Sequence, residues 1–260
     1  ARRTDRKGLE DFSALDCFYR GMWRLNQMTA ETDVQALELF RQAVALAPDL
    51  ALGHIGAART LYGQAIYGAV ENPSDNLTAS LASARTAIGL DAREAQAHFA
   101  AAGPLLYLGG HAAALEEAHA AIALNANFAY AHYRLGQVLI FSGQPAEAVA
   151  PIERSLRLSP YDPQAGPMFE TLALAHYQVR EYAKAAEHAR TAGRISGAGQ
   201  SVLAAALAQL GEAKEATAAL ARLERFRPSL RRPLAAPYAD PALLEHLRQG
   251  VRAARQFAAA

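Results

Sequence analysis

The chain has 260 residues, of which 52% are hydrophobic, 20% charged and 8% aromatic. That composition can bury a core and excludes a disordered tail. A net charge of +1 excludes a strongly electrostatic nucleic-acid binder, and one cysteine excludes a disulfide framework or a multi-cysteine zinc site.

Roughly a quarter of the residues are alanine, which points to closely packed helices; a sheet would want β-branched and aromatic residues. The opening Ala1-Arg2-Arg3-Thr4-Asp5-Arg6-Lys7 has neither an initiator Met nor the apolar core of a signal peptide. Residues 1–11 read as a linker, and the chain reads as a soluble piece of a longer protein. No apolar run reaches the ~18 residues of a membrane-spanning helix.

A first helix pair is expected over 12–48, with Tyr19-Arg20-Gly21 in one helix and Ala36, Phe40, Ala43, Leu46 and Pro48 in the other. Cys17 lies in its apolar run and reads as a buried structural thiol. The second pair, 49–92, has Ile55-Gly56 at a close-contact turn and resumes at 77–90. Between its helices lies an extension, 63–74, with Tyr62, Tyr67, Asn72 and Pro73 in or beside it. The third pair spans 95–128, with Ala126 where a proline is expected.

The fourth pair, 129–162, has the clearest pattern. Leu135-Gly136 fill the small turn of its first helix, Gly143 breaks the chain, Ala148, Ile152 and Ser155 line the second helix, and Pro160 ends it. The fifth, 166–196, carries Leu172-Ala173, Tyr182, Ala185 and Ala189. The sixth, 197–228, carries Leu203-Ala204, Gly211, Ala216, Leu220, Leu223 and Pro228. After it the pattern stops, and residues 229–260 read as a Pro/Arg-rich strap and a terminal helix. Asp240 is its N-cap, Pro241 its first residue, and Leu243, Leu244, Leu247, Val251 and Ala254 its apolar stripe. Such a helix can cap a last repeat.

A shift of 34 residues superimposes Ala97-His98-Phe99 on Ala131-His132-Tyr133, and Ile122-Ala123-Leu124 on Leu156-Arg157-Leu158. This period, with these small-residue anchors in register, resembles the tetratricopeptide repeat family over most of the chain. The resemblance implies an all-α right-handed superhelix, an α-α solenoid of about six helix pairs plus a C-terminal capping helix. A narrower resemblance rests on residues 15–21, 36–43, 127–134, 156–163 and 240–252. These are similar to the C-terminal repeat region of bacterial signalling proteins that join such repeats to a class III adenylate/guanylate cyclase domain or a winged-helix regulator. It implies a bacterial regulatory module, cytoplasmic in preference to periplasmic. The chain contains neither of those domains, so their activities do not carry over to it.

In the family, the first helix of each pair lines an inner groove. The ligand-facing positions fall on Phe18, Met22, Phe99, Leu106, Tyr133, Gln137, Ile140, Glu170, Leu174 and Tyr177. That surface is apolar and aromatic, and it lacks the repeated Lys and Asn of relatives that clamp a terminal carboxylate. A hydrophobic peptide, a partner helix or the protein's own C-terminal segment suits it. Packing between neighbouring helices is the competing account of the same residues.

The expected function is therefore a non-catalytic protein–protein interaction module. An oligomerisation scaffold for an attached domain is the alternative, and a small-molecule sensor beside 63–74 is a lesser one. No cofactor or metal is expected: HExxH, a Cys/His cluster, a glycine-rich phosphate loop and a nucleophile elbow are all missing. His98 and His132 share a repeat position and read as packing histidines. Arg222, Arg225, Arg227, Arg231 and Arg232 form a basic cluster. Because 23 of the 26 basic residues are arginine, the cluster reads chiefly as a solvated face.

Overall fold

A computed structural model of the chain describes residues 2–67, 70–162, 165–192, 196–225 and 236–259, with side chains from Phe12 onward. The described residues form two compact units, Ala1–Ala126 and Asn127–Ala260. They hold thirteen helices and no strand.

The first unit contains α1 (Arg2–Leu25), α2 (Ala30–Leu46), α3 (Ala51–Tyr67), α4 (Pro73–Leu90), α5 (Ala95–Tyr107) and α6 (His111–Leu124). The second contains α7 (Ala129–Phe141), α8 (Pro145–Leu158), α9 (Ala165–Gln178), α10 (Tyr182–Thr191), α11 (Gly197–Gln209), α12 (Ala213–Glu224) and α13 (Pro241–Ala259). Within each unit an odd helix pairs with the even helix that follows, and each later odd helix also packs on the pair before it. This is an all-α helical-repeat fold of tetratricopeptide type.

Local chemistry places the helix ends. Thr29 caps α2, where its hydroxyl and that of Thr32 form a reciprocal capping box. Ser196 caps α11 through the amides of Ala198 and Gly199, and Asp240 caps α13 through Ala242 N–H. Pro73 and Pro145 open α4 and α8, where the missing N–H costs nothing.

Packing inside each pair rests on residues with little or no side chain. Phe40 of α2 is fully buried because neither Gly21 of α1 nor Gly56 of α3 has a Cβ to occupy its ring's place. A Cβ at Gly21 would lie 2.6 Å from Phe40 Cε1, and one at Gly56 would overlap the same ring. In the second unit a Cβ at Gly136 would overlap Ile152, while Ala148 is fully buried beside it. Where serine replaces alanine its hydroxyl is satisfied: Ser80 donates to Ala58 O at 2.7 Å, and Ser155 to Met168 Sδ at 3.3 Å.

The turns inside the pairs repeat as closely as the contacts. Gly109, Gly143 and Gly211 all take positive φ, between 77° and 90°. The next residue's N–H reaches back to close the helix, as in Gln144 N–H to Leu139 O at 2.9 Å. Arg180 occupies the same position with φ 66°, and Glu181 N–H donates to His176 O at 2.9 Å. A non-glycine residue there carries a steric cost of about 1–2 kcal/mol.

Three expectations about bounds differ. Residues 2–11, read as a linker, continue α1 as helix, consistent with the good helix formers Arg, Lys, Glu and Leu there. The 63–74 extension is partly helix: α3 runs on to Tyr67, carrying Tyr62 and Ile66 onto Leu77 of α4, while residues 68 and 69 lie outside the described residues. The terminal helix, expected over 240–256, runs on to Ala259.

Two predictions follow from the turns and contacts. Gly136→Ala and Ala148→Leu should each lower unfolding free energy by about 1–3 kcal/mol, while exposed Glu147→Ala stays within about 0.5 kcal/mol; denaturant melts compare the three. Arg180→Gly should raise stability by about 0.5–1 kcal/mol through relief of the left-handed backbone, net of glycine's entropy. An unchanged or lower midpoint would count against that strain.

Candidate functional site

The ten candidate residues fall on the odd helices of the two units. In the first unit Phe18 packs with Ala36, Leu37, Phe40 and Ala57, its ring centroid 5.8 Å from that of Phe40. Met22 is half-buried at the edge of that cluster, and Phe99 and Leu106 of α5 are buried. Arg59 of α3 joins two of them. Its Nη1 lies 3.7 Å from Met22 Sδ, and its guanidinium sits 5.7 Å from the centre of the Phe99 ring. The structure thus brings Phe18, Met22 and Phe99 into one neighbourhood through a cation that sequence reasoning missed. The available signal was a lone arginine inside the apolar run Ile55–Tyr62.

In the second unit Tyr133, Gln137 and Arg134 of α7 form a buried chain. Gln137 Nε2 donates to Tyr133 Oη at 2.8 Å, and Arg134 Nη1 donates to Gln137 Oε1 at 2.8 Å. Ile140 and Leu174 are buried among neighbouring helices. Glu170 of α9 accepts from the backbone N–H and the hydroxyl of Ser196, both at 2.6 Å. Burial raises its pKa above the ordinary value, and the two Ser196 hydrogen bonds hold back part of that rise. Glu170 therefore anchors the start of α11.

Tyr177 is fully buried beneath the chain's own C-terminal segment. Its hydroxyl donates to His246 O at 3.0 Å, and its ring stacks on the His246 imidazole at 4.6 Å between centroids. Burial, then the neighbouring Tyr182, pushes its phenol pKa well above the ordinary value. Gly250 makes this approach possible, since a Cβ there would overlap the Tyr177 hydroxyl and lie 2.7 Å from Ala205 Cβ. Next to Tyr177, Gln178 donates through Nε2 to Leu243 O at 3.0 Å, and its Oε1 lies 3.2 Å from His246 Nδ1. Farther back, Ala239 N–H donates to Phe141 O at 2.8 Å, and Tyr238 meets Phe141 edge-on at 4.9 Å.

Tyr238, Ala239 and the first turns of α13 thus lie against the C-terminal ends of α7 and α9, and α13 packs on α11 and α12. Phe141 and Gln178 were missed although each stands one position after a residue that was singled out. Of the ten candidates, only Met22 and Glu170 remain half-buried; the other eight are buried.

His54, His98, His176 and His188 make contacts within and between the helices. His54 Nε2 lies 3.2 Å from Pro48 O, and His98 Nε2 lies 3.0 Å from Ala92 O, so the same six-residue reach recurs in two repeats. His98 Nδ1 is also 2.6 Å from Glu117 Oε2. His176 and His188 stack at 5.1 Å, with Glu181 Oε2 at 2.6 Å from His176 Nδ1. Among the described residues no cluster of three or more His, Cys, Asp or Glu could hold a metal ion, and no helix is long and apolar enough to cross a membrane. Arg222 and Arg225 lie at the exposed C-terminal end of α12, where cations oppose the negative end of the helix dipole. Arg227, Arg231 and Arg232 lie outside the described residues.

No protein-family model matches the chain, and no curated protein matches it in sequence. Solved structures do match its fold. It is similar to PilF of Pseudomonas aeruginosa at 18% identity and a TM-score of 0.60, covering 92% of this chain and 98% of that one. It is also similar to a chain of the APC/C hetero-tetramer Cut9–Hcn1, at 15% identity and a TM-score of 0.68. There the match covers 92% of this chain but spans only 43% of that one. A thermophilic TPR protein of Thermus thermophilus matches at 17% identity and a TM-score of 0.53, over 75% of this chain and all of that one. These likenesses define the fold as that of a tetratricopeptide-type helical-repeat protein.

The His246 contacts carry a pH dependence. Burial, then the nearby Arg180 charge, lowers the His246 pKa below its ordinary 6.5. As pH falls below 6.5, the unfolded chain takes up this proton before the folded one does, so folding stability is lost down to the lowered value. Thermal melts should show a larger acid-induced loss for the parent protein than for His246→Asn. Equal losses would mean that His246 is not responsible.

Proposed function

We propose that the chain is a non-catalytic protein–protein interaction module that takes a peptide or partner-protein segment on the first-helix faces of its repeats. The observation that supports this reading is the way α7 and α9 hold Tyr238, Ala239 and α13. Phe141 O, Tyr177 Oη and Gln178 Nε2 pair with main-chain groups of Ala239, His246 and Leu243. A face that satisfies main-chain donors and acceptors beside apolar rings has the chemistry that segment recognition requires. In the first unit Met22, Arg59 and Phe99 offer a related surface, in which a cation on an aromatic floor suits an apolar segment that brings carbonyl oxygens.

On the finer reading the module belongs to a bacterial signalling protein and regulates or localises a linked class III cyclase or winged-helix domain. What supports this is the likeness of residues 15–21, 36–43, 127–134, 156–163 and 240–252 to the repeat regions of such proteins. The remaining inner-face candidates, Leu106, Tyr133, Gln137, Ile140, Glu170 and Leu174, shape the floor beneath the bound segment. Tyr177 is the point at which a partner on the second unit competes with α13.

A peptide library screened against the intact chain, followed by calorimetric titration of the hits and mapping of amide shifts, tests this. Shifts should cluster on the odd helices. For hits that map to the first unit, Arg59→Gln should weaken binding about tenfold, or about 1.4 kcal/mol. Shifts confined to the exposed faces of the even helices, or first-unit hits indifferent to Arg59→Gln, would overturn the groove reading.

A further inference from the structure

Among the described residues, helix α1 has a second face with large apolar side chains that neither α2 nor α3 covers. Its buried side holds Ala14, Phe18 and Gly21 against α2 and α3. On the opposite side Phe12, Asp16, Tyr19 and Trp23 follow one another at spacings of four, three and four residues, the seam pattern of paired helices. Phe12, Tyr19 and Trp23 are 77%, 65% and 62% exposed. Beside this face an open cleft of about 570 Å³ lies between α1 and α2, where Trp23, Val34 and Leu39 stand among arginine, glutamine and glutamate side chains. Large side chains exposed in one contiguous stripe mark an association surface.

We propose that this stripe is a homodimer interface in which α1 pairs antiparallel with α1 of a second copy of the chain. The pattern is self-complementary in that direction. When residue i faces residue 35 − i, Phe12 meets Trp23 of the other copy and Asp16 meets its Tyr19. Two-fold symmetry makes every such contact twice. Asp16, the one charge in the seam, then faces a phenolic hydroxyl. Its present partner, Arg20 at 3.2 Å, stands beside it and is as exposed as it is, so the carboxylate keeps a cation when water leaves. Parallel pairing in register would instead set Asp16 against Asp16 in a drying seam, which is costly. Phe12 of each copy would enter the other's cleft between Trp23 and Val34. This inference does not rest on the groove reading, and its failure leaves that reading untouched.

Sedimentation equilibrium over a wide concentration range should show a reversible monomer–dimer equilibrium. Trp23 is the only tryptophan in the chain, so its emission should move to shorter wavelength as the dimer forms. Trp23→Glu should abolish the dimer and leave the melting temperature of the dilute monomer nearly unchanged, because the side chain is mostly exposed in the monomer. In a Cys17→Ser background, mixed Phe12→Cys and Trp23→Cys proteins should form a cross-linked dimer on mild oxidation, and neither should do so alone. A monomer at every concentration, a dimer insensitive to Trp23→Glu, or Phe12→Cys linking to itself would overturn the proposal.

Discussion

Phe40 can be fully buried only because Gly21 and Gly56 leave the space in which its ring lies. The same constraint governs Ile152 against Gly136 in the second unit. Two helices of a hairpin, and the helix that follows, can approach closely only where one of them offers little or no side chain. The bulky partner then fills the gap at interior density. Everything else about each pair follows from holding that contact. It sets which face of each helix is apolar, and so which residues are left to face outward.

The chain handles its C-terminal end by the same logic. A helical repeat leaves the apolar face of its last pair uncovered, and α13 covers it on α11 and α12. Beside the buried stripe of Leu247, Val251 and Ala254, polar contacts to backbone atoms also tie α13 down. Tyr177 and Gln178 reach carbonyls of α13, and Phe141 offers its own carbonyl to Ala239. Hydrogen bonds to main-chain groups satisfy a segment's backbone whatever its side chains, while stacking of Tyr177 on His246 fixes the register. Where α9 meets α13, aromatic stacking and main-chain hydrogen bonds therefore act together.

The outer face of α1 poses the opposite problem. Phe12, Tyr19 and Trp23 gain nothing from the hairpin they belong to, and their exposure to water costs the monomer free energy that burial would recover. Their spacing matches helix pairing, and the placement of Asp16 and Arg20 sets the direction in which a second helix can lie.

Much of this was readable in the chain itself. Small residues recurring every 34 positions reported the close contacts, as with Gly136 and Ala148. Gly143 and Gly211 marked turns that need positive φ, and Asp240-Pro241 marked the start of α13. These signals are local: a capping residue, a breaker or an apolar period depends only on its near neighbours along the chain. Other features needed the folded structure. That Arg180 takes the turn conformation glycine holds elsewhere is visible only in the folded backbone. That Arg59 bridges Met22 and Phe99, and that Tyr177 meets a carbonyl 69 residues away, depends on elements distant in sequence being brought together. A sequence period states which side of a helix avoids water; what that side meets is decided only when the helices pack.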